Sequence, residues 1–148
     1  MFQRICLTAL FALCAFLATG CASIRSTAQG GDASSVTQKM YPVSAEIADR
    51  ILIQAMLYQF PGASIVRVEL PYKGYFVTRR FALDSHDFTA RMLPAKGVDE
   101  AGKVVDGYFF EVIDEGTMLI SGSVRASSLF SKIIENANAE AKPLPMAQ

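Results

Sequence analysis

The 148-residue sequence has no excess of either charge, since 14 Lys and Arg stand against 14 Asp and Glu. Binding a phosphate backbone needs a clustered positive excess, so nucleic acid is not the expected partner. The sequence has only three cysteines, an odd number, and complete internal disulfide pairing is therefore impossible. It has a single histidine, His86. No apolar run reaches the ~20 residues that a membrane-spanning helix requires. A glycine-rich phosphate loop, an HExxH helix and a GxSxG elbow are all missing. What is present is a 51% hydrophobic composition, which excludes disorder throughout, on a length that suits one ordinary domain.

The apolar residues are concentrated at the start. Met1-Phe2-Gln3-Arg4 carries one positive charge, and Ile5 to Ala18 is apolar except for Thr8. This run has the length of the h-region of a secretory signal. Leu17-Ala18-Thr19-Gly20-Cys21 follows, with small residues ahead of a thiol. The segment resembles the lipobox of bacterial lipoproteins, although Ala18 stands where leucine is commonest. The resemblance covers residues 1–21 only. It implies cleavage between Gly20 and Cys21, lipid attachment at the Cys21 sulfur, and a signal peptide over residues 1–20. Cys6 and Cys14 would leave with the signal, and Cys21 would be consumed by acylation. No cysteine catalysis, cysteine metal site or disulfide would then remain. Ala22, rather than Asp, after Cys21 implies export to the outer membrane. Two or more acyl chains anchor stably, so the chain would work beside a membrane without spanning it.

Residues 22–39 read ASIRSTAQGGDASSVTQK, with no aromatic residue. The expectation for residues 21–39 is a flexible lipidated tether reaching ~25 Å. Residues 40–141 form the expected single domain, and residues 142–148 a disordered tail.

Within the domain, Ser44 caps a helix whose apolar arc holds Ile47, Ala48, Ile51, Leu52, Ala55, Met56 and Tyr58. Phe60-Pro61-Gly62 stops it. Strand-like runs follow at Ser64–Leu70, Tyr75–Leu83, Phe88–Leu93, Val104–Ile113 and Thr117–Gly122, with Pro94 ending the third and Gly107 marking a bulge. Asp84–Asp87 and Asp114–Gly116 read as turns, and Lys96–Lys103 as a polar loop. Ser123–Ala139 carries a second apolar stripe through Leu129, Phe130, Ile133, Ile134 and Ala137. Short connections favour hairpins, and both helices need a partner for their stripes. The expected fold is α+β: a five-stranded antiparallel meander with an N-terminal and a C-terminal helix packed on one face. In layout this is similar to helix-grip and TATA-box-binding-protein-like modules, which carries no function by itself.

Sites of chemistry are sparse. His86 stands between Ser85 and Asp87, but no spacing supplies further metal ligands, and turn neighbours rarely face one another as a triad. The carboxylates Asp106, Glu111, Asp114 and Glu115 show no sign of a cleft. Arg79-Arg80 puts one guanidinium on each face of a strand; a salt bridge to Glu69 or Glu111, or an anionic ligand, would account for the pair. Phe76, Phe109 and Ile113 fall on the face away from the helices, and Ile53, Leu57 and Phe60 fall outside the main arc of the first helix. Surplus apolar surface on both sides suggests a partner surface or a ligand groove.

The expected function is that of a non-enzymatic, lipid-anchored envelope protein at the outer membrane, with its domain facing the periplasm and binding another envelope protein. No metal or cofactor is expected. The alternative is binding of a lipid or other apolar small molecule between helices and sheet. An enzyme acting through the Asp84–Asp87 turn is a third, weaker reading.

Overall fold

A computed structural model describes residues 24–29, 39–69, 72–81, 84–116 and 122–147. In chain order the elements are β1 (Ile24–Gln29), β2 (Lys39–Met40), α1 (Ala45–Gln59), β3 (Val66–Val68), β4 (Gly74–Phe81), β5 (Asp84–Val98), β6 (Val104–Gly116), α2 (Gly122–Glu140) and β7 (Leu144–Pro145). The α+β class is as expected. β3, β4, β5 and β6 form an antiparallel meander, and β1 adds to it along β6. β2 and β7 pair separately.

α1 starts where the sequence indicates. Ser44 is extended, and its Oγ accepts from the Ile47 N–H at 3.3 Å. Glu46 adds a negative charge in the first turn, beside the positive end of the helix dipole. Beyond Pro61, Gly62 takes the left-handed φ of 71° that ends the run.

The core forms where the two helix stripes meet one face of the sheet. Ile51, Leu52, Ala55, Met56 and Phe60 of the first helical segment join Leu129, Ile133 and Ala137 of α2, and both sets pack with Tyr75, Val77, Phe88, Ala90, Met92, Phe110 and Val112. The strand residues alternate in sequence and stand in register, with Tyr75 opposite Ala90, Val77 opposite Phe88, and Ala90 opposite Val112. Phe88 sits at the centre, its ring 5.0 Å from Phe60 and 5.7 Å from His86.

Several expectations are corrected. Both segments read as turns are strand: His86 pairs with Gly116 and Phe88 with Asp114. The ladder therefore continues well past Phe88 and Ile113. At the other end, Pro94 does not stop β5. The Met92 N–H points away from β6 to the Lys73 carbonyl (3.0 Å), and Pro94 has the same parity. β4 has ended by then, so the N–H that proline lacks would have met no strand. The polar loop shrinks to Asp99–Lys103, where the Asp99 Oδ1 accepts from the Ala101 and Lys103 N–H groups.

Gly107 is not a bulge, because the register runs unbroken from Pro94–Tyr108 to Lys96–Asp106. Its role is close approach. A Cβ there would lie 2.1 Å from the Tyr41 carbonyl oxygen and 2.5 Å from the Met40 Cε. Gly97 makes the same allowance for Met40 on the neighbouring strand. Met40 is thus fully buried in a cradle of two glycines.

The segments expected to be loose are partly ordered. Ile24–Gln29, within the expected tether, pairs residue by residue with Gly116–Glu111. Leu144–Pro145, within the expected disordered tail, pairs with β2, and the Ala147 N–H donates to the Lys96 carbonyl at 2.8 Å. Of the fifth expected strand, Thr117–Gly122, only Gly122 lies among the described residues, and it opens α2.

Candidate interaction surface

The sheet face turned away from the core is built by the other strand parity. Phe76 stands opposite Thr89, Thr89 opposite Ile113, Arg91 opposite Glu111, and Leu93 opposite Phe109. The expectation that Phe76, Phe109 and Ile113 share this face therefore holds. They do not form a continuous apolar patch. Arg91 and Glu111 pair between them, and the Arg91 guanidinium lies 5.2 Å from the Tyr72 ring. Phe76 and Phe109 are half-buried. Ile113 is only 5% exposed, so it offers little to a partner. Val66 of the short edge strand β3 lies beside Phe76 and is largely exposed.

Ile53 and Leu57 belong to a different surface, because α1 packs on the core face. Ile53 is partly buried against the core. Phe60, expected outside the arc, is instead core at 1% exposure, because the chain leaves the helix there and turns its ring onto Phe88. Leu57 is 55% exposed, and its neighbour Tyr58, expected on the core arc, is 68% exposed with the Lys132 ammonium 4.7 Å from its ring. The five candidate residues lie on two surfaces, and Leu57 is the one that is mostly exposed.

Among the described residues, three polar clusters join strands of the sheet to one another or to α1. At the helix–sheet margin, the Tyr75 hydroxyl donates to Asp49 Oδ2 at 3.0 Å, while Arg67 reaches Asp49 Oδ1 at 3.4 Å and Glu69 at 2.8 Å. Burial, and then the bond to the carboxylate, raise the Tyr75 hydroxyl above its ordinary pKa. On the outer face, Arg91 holds Glu111. Glu69 and Glu111 are therefore served by Arg67 and Arg91, not by Arg79 or Arg80 as the sequence suggested. Neither Arg79 nor Arg80 has an ion-pair partner among the described residues.

The third cluster is one that sequence reasoning missed. His86 and Asp114 are both buried on the core face, at 2% and 3% exposure, and His86 Nδ1–H donates to Asp114 Oδ1 at 2.8 Å. Their burial follows from alternation: His86 continues the series Phe88, Ala90, Met92, and Asp114 continues Phe110, Val112. Extending those two series backward and forward through the apparent turn residues would have found the pair.

An open cleft of about 750 Å³ lies at the opposite end of the sheet, lined by Pro42, Val43, Pro94, Ala95, Lys96 and Tyr108 among others. It lies outside the helix–sheet interior, where the apolar-ligand reading placed its cavity. Among the described residues no three His, Cys, Asp or Glu side chains come together as metal ligands, and no helix is long and apolar enough to cross a membrane. Gly20 and Cys21, the expected cleavage and lipid-attachment residues, lie outside the described residues. Comparison with protein-family models, with curated proteins and with solved structures finds no match for this chain.

Proposed function

We propose that the protein is a lipid-anchored, non-enzymatic component of the bacterial envelope whose domain docks another envelope protein at the outer membrane, on its periplasmic side. The anchor rests on one sequence observation: Leu17-Ala18-Thr19-Gly20-Cys21 follows a charged n-region and a 14-residue run, Ile5 to Ala18, in the register of a lipobox. The docking role rests on Leu57 and Tyr58, adjacent on α1 and both mostly exposed although Ile51, Leu52, Ala55 and Met56 around them fill the core. An exposed aliphatic–aromatic pair beside a core stripe is a suitable anchor for a partner's side chains. Lipidation raises the local concentration of the domain near a membrane-bound partner, so a small docking surface suffices.

The test is a photo-crosslinker placed at Leu57 in intact cells, followed by mass spectrometry. One envelope protein should be captured, and capture should disappear in a Tyr58→Asp variant that remains folded. Capture of nothing above background overturns the docking role.

A further inference from the structure

We infer that the end of the sheet where β1 enters, bearing Arg79, Arg80 and Val124, faces the bilayer, with the two guanidiniums against anionic lipid headgroups. The inference rests on the lipid-anchor reading above and adds an orientation to it. Its starting point is the register of β1. Ile24 pairs with Gly116, so the chain joins the sheet only three residues after Cys21. A fully extended chain spans at most ~3.3–3.6 Å per residue, which places the Cys21 sulfur within roughly 10–15 Å of the Gly116 end. The ~25 Å reach expected of a free tether is lost once Ile24–Gln29 is paired. An acylated Cys21 would then hold this end of the domain at the membrane surface.

The residues at that end suit the position. Arg79 pairs with His86 and Arg80 with Ser85, two strand positions that flank the β4–β5 connection. One guanidinium lies on each face of β4, and neither has an ion-pair partner among the described residues. Basic side chains held beside a bilayer are attracted to anionic headgroups. Val124, in the first turn of α2, is 68% exposed at the same end. The opposite end carries exposed paired charges instead: Lys142 with Glu100, and Lys96 near Asp106. Val104 is also exposed there. From the His86–Gly116 pair to the Val98–Val104 pair the ladder has thirteen residue pairs and twelve steps, or roughly 40 Å at ~3.3 Å per step. The two ends are thus far enough apart for a depth measurement to separate them.

The mature chain would keep only the acylated Cys21, so a cysteine introduced elsewhere can be labelled cleanly. The acylated full-length mature protein is placed in phosphatidylcholine vesicles containing phosphatidylglycerol and a nickel-chelating lipid, with a nitroxide at Val124→Cys or at Val104→Cys. The nitroxide at position 124 should lose signal through relaxation by the surface nickel, and the one at 104 should not. A Thr27→Pro/Ala28→Pro pair removes a ladder N–H whichever residue supplies it, and should bring position 124 to the level of position 104. Arg79→Gln/Arg80→Gln should weaken relaxation at position 124 when phosphatidylglycerol is present and leave it unchanged in phosphatidylcholine alone. Equal relaxation at the two positions, or no effect of the prolines, overturns the orientation; no effect of the arginine changes overturns the headgroup contact. Palmitate labelling of the wild type, and its loss in Cys21→Ala, is measured in parallel. Absence of that label overturns the anchor and the orientation with it, whereas label with equal relaxation overturns the orientation alone.

Discussion

The two ends of the β5–β6 hairpin are closed by opposite means. At the Gly116 end the sheet interior finishes in a polar pair, with His86 bonded to Asp114 beneath the Phe88 ring. At the Val104 end it finishes in backbone: Gly97 and Gly107 leave room for Met40, and β2 and β7 pass across them. One end depends on two side chains satisfying each other, the other on side chains being absent. A buried polar group is costly when its partner is removed, whereas a glycine cradle is costly when anything is added.

That contrast can be broken at either end. The largest effect is expected at the glycine end. Gly107→Val puts a Cβ against the Tyr41 carbonyl and the Pro42 Cα, which are backbone atoms and cannot swing away. Overpacking of this kind costs about 3 kcal/mol, measurable as a lower urea midpoint. Gly97→Ala, whose nearest contact is the flexible end of Met40, should cost about 1 kcal/mol by the same mechanism. Equal losses at the two positions would show that backbone contact is not what distinguishes them. At the polar end, Asp114→Ala removes the acceptor from the buried His86 N–H and should cost about 2 kcal/mol. A urea midpoint unchanged from wild type would mean that the pair contributes nothing to stability.

A third prediction concerns pH and sets a tyrosine near the glycine cradle beside one at the helix–sheet margin. Burial raises the Tyr41 hydroxyl, which donates to Asn138 at 3.1 Å near the glycine cradle. Burial and the bond to Asp49 raise Tyr75, at the helix–sheet margin. Both depart upward from the ordinary phenol value of 10.0. The folded state keeps its protons after the unfolded chain has begun to lose them. Stability is therefore intact below pH 10 and falls as pH rises from there through the folded-state pKa values. Thermal melts across that range should show the fall, and Tyr75→Phe should reduce its steepness. A Tyr75→Phe profile parallel to wild type would remove Tyr75 from the account. The smallest effect belongs to Lys142→Ala at the exposed Glu100 pair: its melting temperature should match wild type, because solvent screens the interaction.

The core was legible in the sequence because its periods were clean. The helix arc from Ala48 to Met56, the stripe from Leu129 to Ala137, and the alternations of Tyr75 with Val77 and Phe88 with Ala90 all point where the structure has them. The ends of β5 and β6 were not legible. Asp84-Ser85-His86-Asp87 has the composition of a turn, and turn propensity lost to cross-strand pairing that buries every second residue. Pro94 carried a stop signal whose meaning depends on which edge of the strand is open, something only topology decides. The outer face was read in the correct register, but the Arg91–Glu111 pair that interrupts it joins residues from separate strands, and no local pattern announces it. Ile24–Gln29 and Leu144–Pro145 looked loose for the same reason: their order comes from partners remote in the chain.

The β2–β7 pairing also has a consequence in time. It joins Lys39 and Met40, at the start of the domain, to Leu144 and Pro145, at its end. Such a contact closes the longest loop the domain contains, and the entropy of closing it is met only after local hairpins and helices have formed. Until Leu144 and Pro145 dock, Met40 has its two glycines but not its β7 partner. Leu144 and Pro145 thus act as a latch on folding that closes only after the elements between them and Met40 are in place.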